Sequence, residues 1–290
     1  MHLSDCTSVE HIEPLRALGQ ELVQWFAVHK RTLPWREDRS PYRVWLSEIM
    51  LQQTRVATVV PYYERFLARF PEVASLAAAA EDEVLGLWSG LGYYSRGRNL
   101  HRAAQVVMDQ WGGEFPSTAA ELRTLPGVGP YTAAAIASLA FGRMEGVVDG
   151  NVLRVLSRLF DYESPVGTPH SHATARSRVD GLIGAAGDPA GINEGLMELG
   201  ALVCTPRSPA CEKCPWQARC LAYARSTVPL RPVKLPKRAR TSLRIVCAVV
   251  YDEEWVWLEK RPAGGLFGGL HEPPSSPLRG RTTADAAVIS

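Results

Sequence analysis

The chain has 290 residues, about twice the commonest domain size, so we expect roughly two domains. Hydrophobic residues make up 46% of the sequence and charged residues 21%, which is typical of a folded protein and excludes extensive disorder. No apolar stretch approaches the ~20 residues that a membrane-spanning helix requires. Acidic Asp5 and Glu10 stand where an export signal needs a basic start and an apolar core. We therefore expect a cytoplasmic protein with no membrane partner.

The formal net charge of +2 hides an uneven distribution along the chain. Residues 1–224 contain 21 basic and 24 acidic side chains, a net charge of −3, whereas residues 225–290 contain 11 and 6, a net charge of +5. The stretch from Arg225 to Arg244 holds seven basic residues, three prolines and no acidic residue. Such a stretch predicts either an extended linker or a strap that follows a phosphate backbone. A domain boundary is expected there in either case.

Before this basic stretch, the sequence predicts helices nearly throughout. Ser40 followed by Pro41 is typical of a capping residue and a first-turn proline, and it predicts a helix that begins at Pro41. Thr118 and Glu121 have the spacing of a capping box, which opens another helix. Apolar residues at helical spacing over 152–160 predict a third. A large helical body is therefore expected before the basic stretch.

Leu125 to Thr132 form a glycine-containing segment between two predicted helices. Gly127 and Gly129 allow a sharp turn and leave backbone N–H groups bare, and Pro130 starts the next helix with its positive dipole end facing outward. Backbone N–H groups arranged in this way can bind phosphate. A tight turn without a ligand is the alternative, but with its flanking helices the pattern is that of helix-hairpin-helix DNA-binding proteins.

Four of the six cysteines fall in one short run. In a reducing compartment, a tight cysteine cluster indicates a metal site more often than disulfides. Structural zinc sites usually pair two short Cys-x2–4-Cys knuckles, and this run has only one, so an iron–sulfur cluster is favoured over zinc. The other two, Cys6 and Cys247, are expected to be small apolar fillers. The expected ligands are Cys204, Cys211, Cys214 and Cys220.

Glu48 lies within an apolar helical segment, with Val44, Trp45 and Leu51 at helical offsets. Burial would favour its protonated form and make it a candidate general acid. The alternative is a glutamate on the solvated edge of an amphipathic helix, and the segment alone does not decide between them.

Asp149 directly precedes the predicted helix that carries the apolar stripe, so it suits a helix N-cap. It also suits a chemical role, because cleavage of a glycosidic bond passes through an oxocarbenium-like transition state. Such a reaction needs one carboxyl group to protonate the leaving group and one carboxylate to stabilise the cation. Glu48 and Asp149 are a candidate pair for those two roles.

Taken in chain order, Glu48, the glycine hairpin, Asp149 and the cysteine run resemble the helix-hairpin-helix DNA glycosylases that carry a 4Fe-4S cluster. The match is closest to the A/G-mismatch adenine DNA glycosylases. It is dense over 20–224 and resumes at 258–262. The segments that carry it are 33–36, 41–54, 90–97, 125–132, 147–151 and 193–206, with the cysteines that follow.

The resemblance implies a mainly α fold of two helical modules, with DNA in the cleft between them. A six-helix barrel would span roughly 25–135, and a cluster module would combine the N-terminal helix with roughly 136–224. A basic, proline-rich linker is expected over 225–243, and a partial α/β Nudix-like recognition segment over 244–290. The four cysteines would hold the 4Fe-4S cluster.

The same resemblance implies base-excision repair of double-stranded DNA in which adenine is mispaired with guanine or 8-oxoguanine. The adenine is flipped out of the duplex, because its glycosidic bond is unreachable in the stack. Glu48 would protonate the adenine ring, and ionised Asp149 would stabilise the positive sugar. Tyr131 and Asn151 look like their polar support. Hydrolysis would leave an abasic site.

Further positions acquire expected roles from the resemblance. Gln53 and Tyr93 look like the side chains that wedge into the stack left by the flipped base. Arg36 and Glu194 look like further residues of the pocket. The residues expected to contact DNA are Gln53, Tyr93, Gly127, Gly129 and Arg36.

Tyr131 stands where relatives that also cut the DNA strand place a lysine, so a monofunctional enzyme is expected. One alternative is a related mismatch glycosylase that removes thymine, and another is a non-catalytic protein that binds mismatched DNA. A C-terminal recognition segment argues against the first, and an intact Glu48 and Asp149 pair argues against the second. A monomer in a bacterial cytoplasm, associated with the nucleoid, is expected.

The C-terminal segment departs from the family pattern. Residues 244–258 predict a pair of strands around an acidic turn, and 266–274 resemble the glycine-rich start of a Nudix-like domain. His271 stands where an aromatic residue is typical, and the Nudix hydrolase signature is absent, so pyrophosphate hydrolysis is not expected. About 45 residues are too few for a complete recognition domain.

Overall fold

The computed structural model describes residues 9–236, 244–262 and 268–277, with side chains from Pro14 onward. Within these residues the structure is mainly helical, as predicted, and no helix is both long and apolar enough to span a bilayer. Short 3-10 turns cover Cys211–Lys213, Gln217–Arg219 and Val228–Leu230. The α-helices are α1 (Val9–His29), α2 (Pro34–Glu37), α3 (Pro41–Leu51), α4 (Val56–Arg69), α5 (Val73–Ala77), α6 (Glu81–Trp88), α7 (Ser95–Trp111), α8 (Ala119–Leu122), α9 (Pro130–Phe141), α10 (Gly150–Leu159), α11 (Pro169–Ala186), α12 (Pro189–Leu202) and α13 (Leu221–Ala224).

The predicted helix starts are confirmed. α3 begins at Pro41, although the Ser40 side chain makes no capping hydrogen bond, so the fixed φ of proline is what favours this start. Thr118 caps α8 with a full capping box. Its hydroxyl accepts the Glu121 backbone N–H at 3.3 Å, and the Glu121 carboxylate accepts the Thr118 N–H at 3.4 Å. The stripe lies on α10, where residues 152–159 are buried, and ends at the partly buried C-cap residue Phe160.

Two groups of helices pack around separate sets of buried side chains. In the first, α1 packs on α11 and α12, and α10 packs on α12, burying aliphatic residues together with Trp25 and Trp216. In the second, α3 packs on α4 and α9, and aromatic pairs such as Phe66 and Phe70 lie in its interior. α12 also contacts α9, so the two groups meet there. Residues on α3, α9, α10 and α12 therefore approach one another.

The compact helical unit continues to Leu235, beyond the boundary expected at residue 224. Arg231 pairs with the buried carboxylate of Asp161 at 2.8 Å, and Arg225 pairs with it at 3.2 Å. Two arginines of the expected linker are thus held on the helical body. The sequence did not predict this contact, because the carboxylate that binds them lies far upstream. Three other basic residues of the expected linker lie outside the described residues: Lys237, Arg238 and Arg240.

The described C-terminal residues form two short antiparallel ladders instead of one local pair of strands. The expected acidic turn is present, since Tyr251 and Val256 form a bridge across it. The first strand, however, pairs with a segment from much later in the chain. Cys247 is exposed, so its expected role as a buried filler is wrong, and Cys6 lies outside the described residues. The ladders are β1 (Ile245–Cys247) with β4 (Ser275–Pro277), and β2 (Glu259–Lys260) with β3 (His271–Glu272).

Candidate active site and iron–sulfur segment

A cavity of about 250 Å³ lies where the two groups of helices meet. Its walls come from α3, α9, α12, the start of α10 and the residues that follow α1. The predicted wedge residues and hairpin glycines do not line it. Six residues that the sequence singled out do line it: Glu48, Tyr131, Asp149, Asn151, Arg36 and Glu194.

α3 brings Glu48 to this cavity, where only 6% of the residue is exposed. Burial raises the pKa of Glu48 to about 7, because a charged carboxylate loses its hydration there. The hydroxyl of Tyr131 opposes this shift, while the negative charges of Asp149 and Glu194 add to it. Of the two interpretations that the sequence allowed, a buried acid and a solvated glutamate, Glu48 is the buried acid. A large share of its carboxyl groups is protonated at neutral pH.

Asp149 is the N-cap of α10 and also faces the cavity, so both roles that the sequence suggested are compatible. Its Oδ1 accepts the backbone N–H of Val152 at 2.7 Å, and its Oδ2 accepts the side-chain N–H of Asn151 at 2.8 Å. Burial raises the pKa of Asp149, whereas these donors and the charge of Arg154 lower it. Several donors thus stabilise the carboxylate form of Asp149, whereas among the described residues Glu48 has only the hydroxyl of Tyr131.

Tyr131 lies in the first turn of α9, directly after the glycine hairpin. Burial raises the pKa of Tyr131 well above its ordinary value, and the negative charges of Glu48 and Asp149 raise it further. The hydroxyl therefore stays protonated and acts as a hydrogen-bond donor. Its oxygen lies 3.5 Å from the sulfur of Met197 on α12.

Asn193 holds the segment that leads to Asp149, a role that the sequence analysis missed. This side chain is fully buried on α12. Its Oδ1 accepts the backbone N–H of Val147 at 2.8 Å. Its Nδ2 donates to the carbonyl of Glu145 at 2.8 Å and to the hydroxyl of Ser138 at 2.9 Å. Because one amide on α12 bonds both to the segment and to Ser138 on α9, it fixes the segment against both helices.

A buried network of ion pairs forms another part of the cavity wall. Glu198 pairs with Arg31 at 2.7 Å and with Arg36 at 3.1 Å, and Glu194 pairs with Arg36 at 2.9 Å and also with Arg39. Although burial opposes ionisation, hydrogen bonds from Arg31 and Arg36 lower the pKa of Glu198 to about 2. Arg31 and Glu198 are not among the residues that the sequence singled out. The four-residue spacing of the two glutamates on one helix was the available signal.

Arg154 connects the cavity to the cysteine loop and was also missed. It follows Asn151 by one turn of α10 and donates to that residue's Oδ1 at 2.8 Å. Its Nε donates to the carbonyl of Cys204 at 2.7 Å. Arg158, one turn further along, donates to the sulfur of Cys204 at 3.3 Å. Two arginines spaced four residues apart on α10 therefore bind the first cysteine of the loop.

The predicted wedge residues and the first hairpin glycine share a left-handed backbone conformation. The φ angles are +58° at Gln53, +48° at Tyr93 and +77° at Gly127. A Cβ on Gly127 would lie 2.7 Å from the Cβ of Asn99, so only glycine fits there. Gly129 has φ −84° and open space around it, so the two glycines serve different purposes.

The four cysteines line one cavity beside α10, together with Arg158, Tyr223 and apolar side chains. Burial raises the pKa of the Cys214 thiol to about 12, so a bound cation is needed to hold it as a thiolate. Within the described residues, no group of three or more His, Cys, Asp or Glu side chains is close enough to bind a single metal ion. Cysteines that surround a space suit a cluster of several metal atoms.

Comparison with known proteins agrees with this geometry. Residues 46–176 match the HhH-GPD superfamily of base excision DNA repair proteins, and residues 204–220 match the iron-sulfur binding domain of endonuclease III. The adenine DNA glycosylase of Mus musculus is 46% identical, over 92% of this chain and 62% of the mouse protein. That of Buchnera aphidicola subsp. Schizaphis graminum is 35% identical, over 87% of this chain and 73% of its own length.

Solved structures share the fold. A thermostable thymine-DNA glycosylase superposes with a TM-score of 0.66 at 30% identity, covering 73% of this chain and 98% of that one. An endonuclease III–DNA covalent intermediate superposes with a TM-score of 0.61 at 23% identity, covering 74% and 98%.

The fold and the site together define a helix-hairpin-helix base-excision repair protein with an iron–sulfur segment. Within that class, the chain belongs to the adenine DNA glycosylase family and carries an iron–sulfur cluster. It spans 62% of the length of the mouse and rat relatives.

Proposed function

We propose that this protein is a DNA glycosylase that removes adenine from double-stranded DNA and leaves an abasic site. The observation that carries the proposal is that Glu48 and Asp149 face one cavity, where burial raises the pKa of Glu48 to about 7 and where Val152 and Asn151 donate hydrogen bonds to the carboxylate of Asp149. Membership of the adenine DNA glycosylase family supports the choice of base.

The two carboxyl groups divide the chemistry between them. Protonated Glu48 donates its proton to the adenine ring, which draws electrons out of the bond between base and sugar. As that bond breaks, the carboxylate of Asp149 stabilises the positive charge that develops on the sugar. Water then adds to the sugar and releases one proton, which replaces the proton that Glu48 gave to adenine. Tyr131 orients Glu48, and Asn151 orients Asp149 through its 2.8 Å hydrogen bond.

The cavity suits a flipped base. Its volume of about 250 Å³ lies just below the roughly 300–1,000 Å³ that is usual for drug-sized ligands. A volume of this size suits a single flat ring system, which is smaller than most drugs. Arg36 and Glu194 provide polar groups in its wall that can pair with the edge of the base. Gln53 and Tyr93 fill the gap left in the stack, and the N–H groups of the hairpin at Gly127 and Gly129 bind phosphate.

Cys204, Cys211, Cys214 and Cys220 hold the cluster as a 4Fe-4S centre in this proposal. Bound there, the cluster supplies a rigid cross-link of the loop. Arg154 and Arg158 bind the loop from α10, so the loop, α10 and Asn151 form one connected unit. The protein acts as a monomer at the bacterial nucleoid.

The partner strand is the finer part of the proposal. We infer that adenine is removed opposite guanine or 8-oxoguanine, as the resemblance to A/G-mismatch enzymes implies. The test is release of free adenine, under single-turnover conditions at fixed salt, from otherwise identical duplexes with guanine or 8-oxoguanine opposite the adenine. Release from both supports the proposal, and release from neither contradicts it.

The Glu48→Gln variant is the matched control. It should bind the same duplexes and release almost no adenine, because an amide has no proton of suitable acidity to give.

Trapping of the wild-type protein on DNA with borohydride should give no efficient covalent adduct, since Tyr131 offers no amine. An efficient adduct would contradict the monofunctional assignment.

Thymine removal is the second candidate, and the superposition on a thymine-DNA glycosylase at 30% identity favours it. A duplex with thymine opposite guanine distinguishes the two candidates. Release of thymine but not adenine would overturn the proposed base. Binding without release of either base would indicate a non-catalytic mismatch-binding protein.

A further inference from the structure

The loop after α3 and the loop before α7 share one buried arginine. Arg96 lies in the first turn of α7 and is only 9% exposed. Its guanidinium donates to carbonyls at the C-terminal end of α3 and to acceptors in both loops, and most of these acceptors are backbone carbonyls. The acceptors are the carbonyls of Ile49 (2.9 Å), Met50 (3.0 Å), Gln52 (2.6 Å), Leu91 (3.3 Å) and Gly92 (3.2 Å), and the hydroxyl of Thr54 (3.2 Å).

The acceptors flank the two residues that the sequence assigned to the wedge. Gln53 lies between Gln52 and Thr54, both of which accept from Arg96. Tyr93 directly follows Gly92, which also accepts from Arg96. Arg96 therefore binds the backbone next to both wedge residues.

Both wedge residues have a strained backbone that needs such support. Their φ angles of +58° and +48° lie in the left-handed region, which is unfavourable for any residue with a Cβ. Strain of this kind persists only where neighbouring groups hold it in place. The guanidinium also lies at the C-terminal end of α3, where its charge is favourable and the last carbonyls have no partners within the helix.

We propose that Arg96 is a positioning residue for base extrusion, which holds the loops of Gln53 and Tyr93 in the conformation that inserts them into the stack. The inference rests on the proposed function. It requires arginine rather than lysine, since a planar fork of five N–H groups can serve two loops at once and an ammonium group cannot.

Two substrates separate a role of Arg96 in positioning the wedge residues from a role in the stability of the whole protein. Extruding adenine costs most in a stacked mismatch and least where the base is already poorly held. Single-turnover excision is measured for adenine opposite guanine and for adenine opposite a stable abasic-site analogue. Arg96→Lys should slow the first by about tenfold or more and the second by less than about threefold, because only the first needs the full wedge.

Arg69→Lys is the matched control, because Arg69 binds Glu83 on the surface of the same helical unit and touches neither loop. It should leave both rates at the wild-type values. Equal slowing of both substrates by Arg96→Lys, or no slowing of either, would overturn the inference. Where Arg96→Lys does not fold, Thr54→Val removes one acceptor, and it should slow the stacked substrate more than the other. Equal effects would again overturn the inference.

A second measurement does not depend on cleavage. With 2-aminopurine at the target position, fluorescence rises when the base leaves the stack. The rise should be clear for Glu48→Gln and several-fold smaller when Arg96→Lys is added. An undiminished rise would overturn the role of Arg96 even if the wild-type protein releases no adenine. Adenine release by the wild type with no dependence on Arg96 would overturn this inference alone and leave the proposed function intact.

Discussion

At the scale of single residues, the cavity holds buried glutamates with opposite electrostatic environments. Glu48 has little to stabilise its charge, so burial raises its pKa to about 7. Burial also acts on Glu198, but two arginines bind that carboxylate and its pKa falls to about 2. One glutamate can therefore give a proton at neutral pH, while the other serves as a permanent negative charge.

Glu48 should make the folded protein less stable as pH rises. Its pKa is about 4.5 in the unfolded chain and about 7 in the folded protein, so the folded state loses stability progressively through that interval. Glu48→Gln removes the effect, and it should be more stable than wild type by roughly 3 kcal/mol at pH 8, with little difference near pH 4. Denaturant titration at both pH values measures this, and equal differences at both would contradict it.

Glu198→Gln should show the opposite pH dependence. A lowered pKa contributes stability above about pH 4.5, and this contribution is lost as pH falls towards 2. The variant should lose roughly 2–3 kcal/mol at pH 7, less than for a fully buried pair because Arg31 is partly exposed. The loss should shrink towards pH 3. Urea unfolding checks it, and a pH-independent difference would refute the ion-pair explanation.

At the scale of elements, the glycine hairpin between α8 and α9 separates two requirements. Gly127 meets a backbone requirement, since its φ is +77° and a Cβ would contact Asn99. Gly129 has no such backbone requirement, since its φ of −84° suits any residue and no atom of the described residues beyond its chain neighbours lies within 4 Å of its Cβ position. The first glycine makes the turn, and in the proposed function the second leaves room for a phosphate at the start of α9.

Alanine at these two positions should therefore have different effects. Gly127→Ala should destabilise the protein by about 2 kcal/mol or more, from left-handed strain and the clash with Asn99. Gly129→Ala should keep the wild-type melting temperature but weaken DNA binding by about tenfold, as expected for one lost hydrogen bond to a charged group. Thermal melts and binding at fixed salt test the pair. Equal melting temperatures for the two variants would contradict the division.

At the scale of the whole chain, residues 225–235 belong to the helical body because of contacts with residues far upstream. Asp161 pairs with Arg225 and Arg231, and it accepts a hydrogen bond from Thr227 at 2.6 Å. The Thr227 hydroxyl, together with the two arginines, lowers the pKa of Asp161, so the carboxylate is ionised at neutral pH. One buried carboxylate therefore binds three residues of the segment that leaves the body.

Asp161→Asn should release this segment without unfolding the helices. Asparagine tolerates the φ of +51° at this position but cannot pair with the arginines. Limited proteolysis at neutral pH should cut within 225–235 several-fold faster in the variant. Glu163→Gln is the control, because its side chain is 86% exposed and it makes only a peripheral contact with Arg231. Unchanged cleavage in Asp161→Asn would show that other contacts hold the segment.

Features with local causes could be predicted from the sequence. The start of α3, the capping box of α8 and the N-cap role of Asp149 each depend on residues within about one helical turn. Other features could not be predicted in this way. The partner of β1, the pairing of Asp161 with Arg231 and the hydrogen bonds from Arg96 to residues 49–54 all join residues that lie far apart in the chain.

The sequence by itself determined the helical class, the positions of the cysteine run and the hairpin, and the pair Glu48 and Asp149 as candidates, because residue type and spacing carry that information. Only the tertiary structure decided which carboxyl groups are buried and which donors bind them, which arginines are bound to acids and how far the helical body extends. Those properties follow from burial and from distant partners, since the energy of a charge depends on what surrounds it in space.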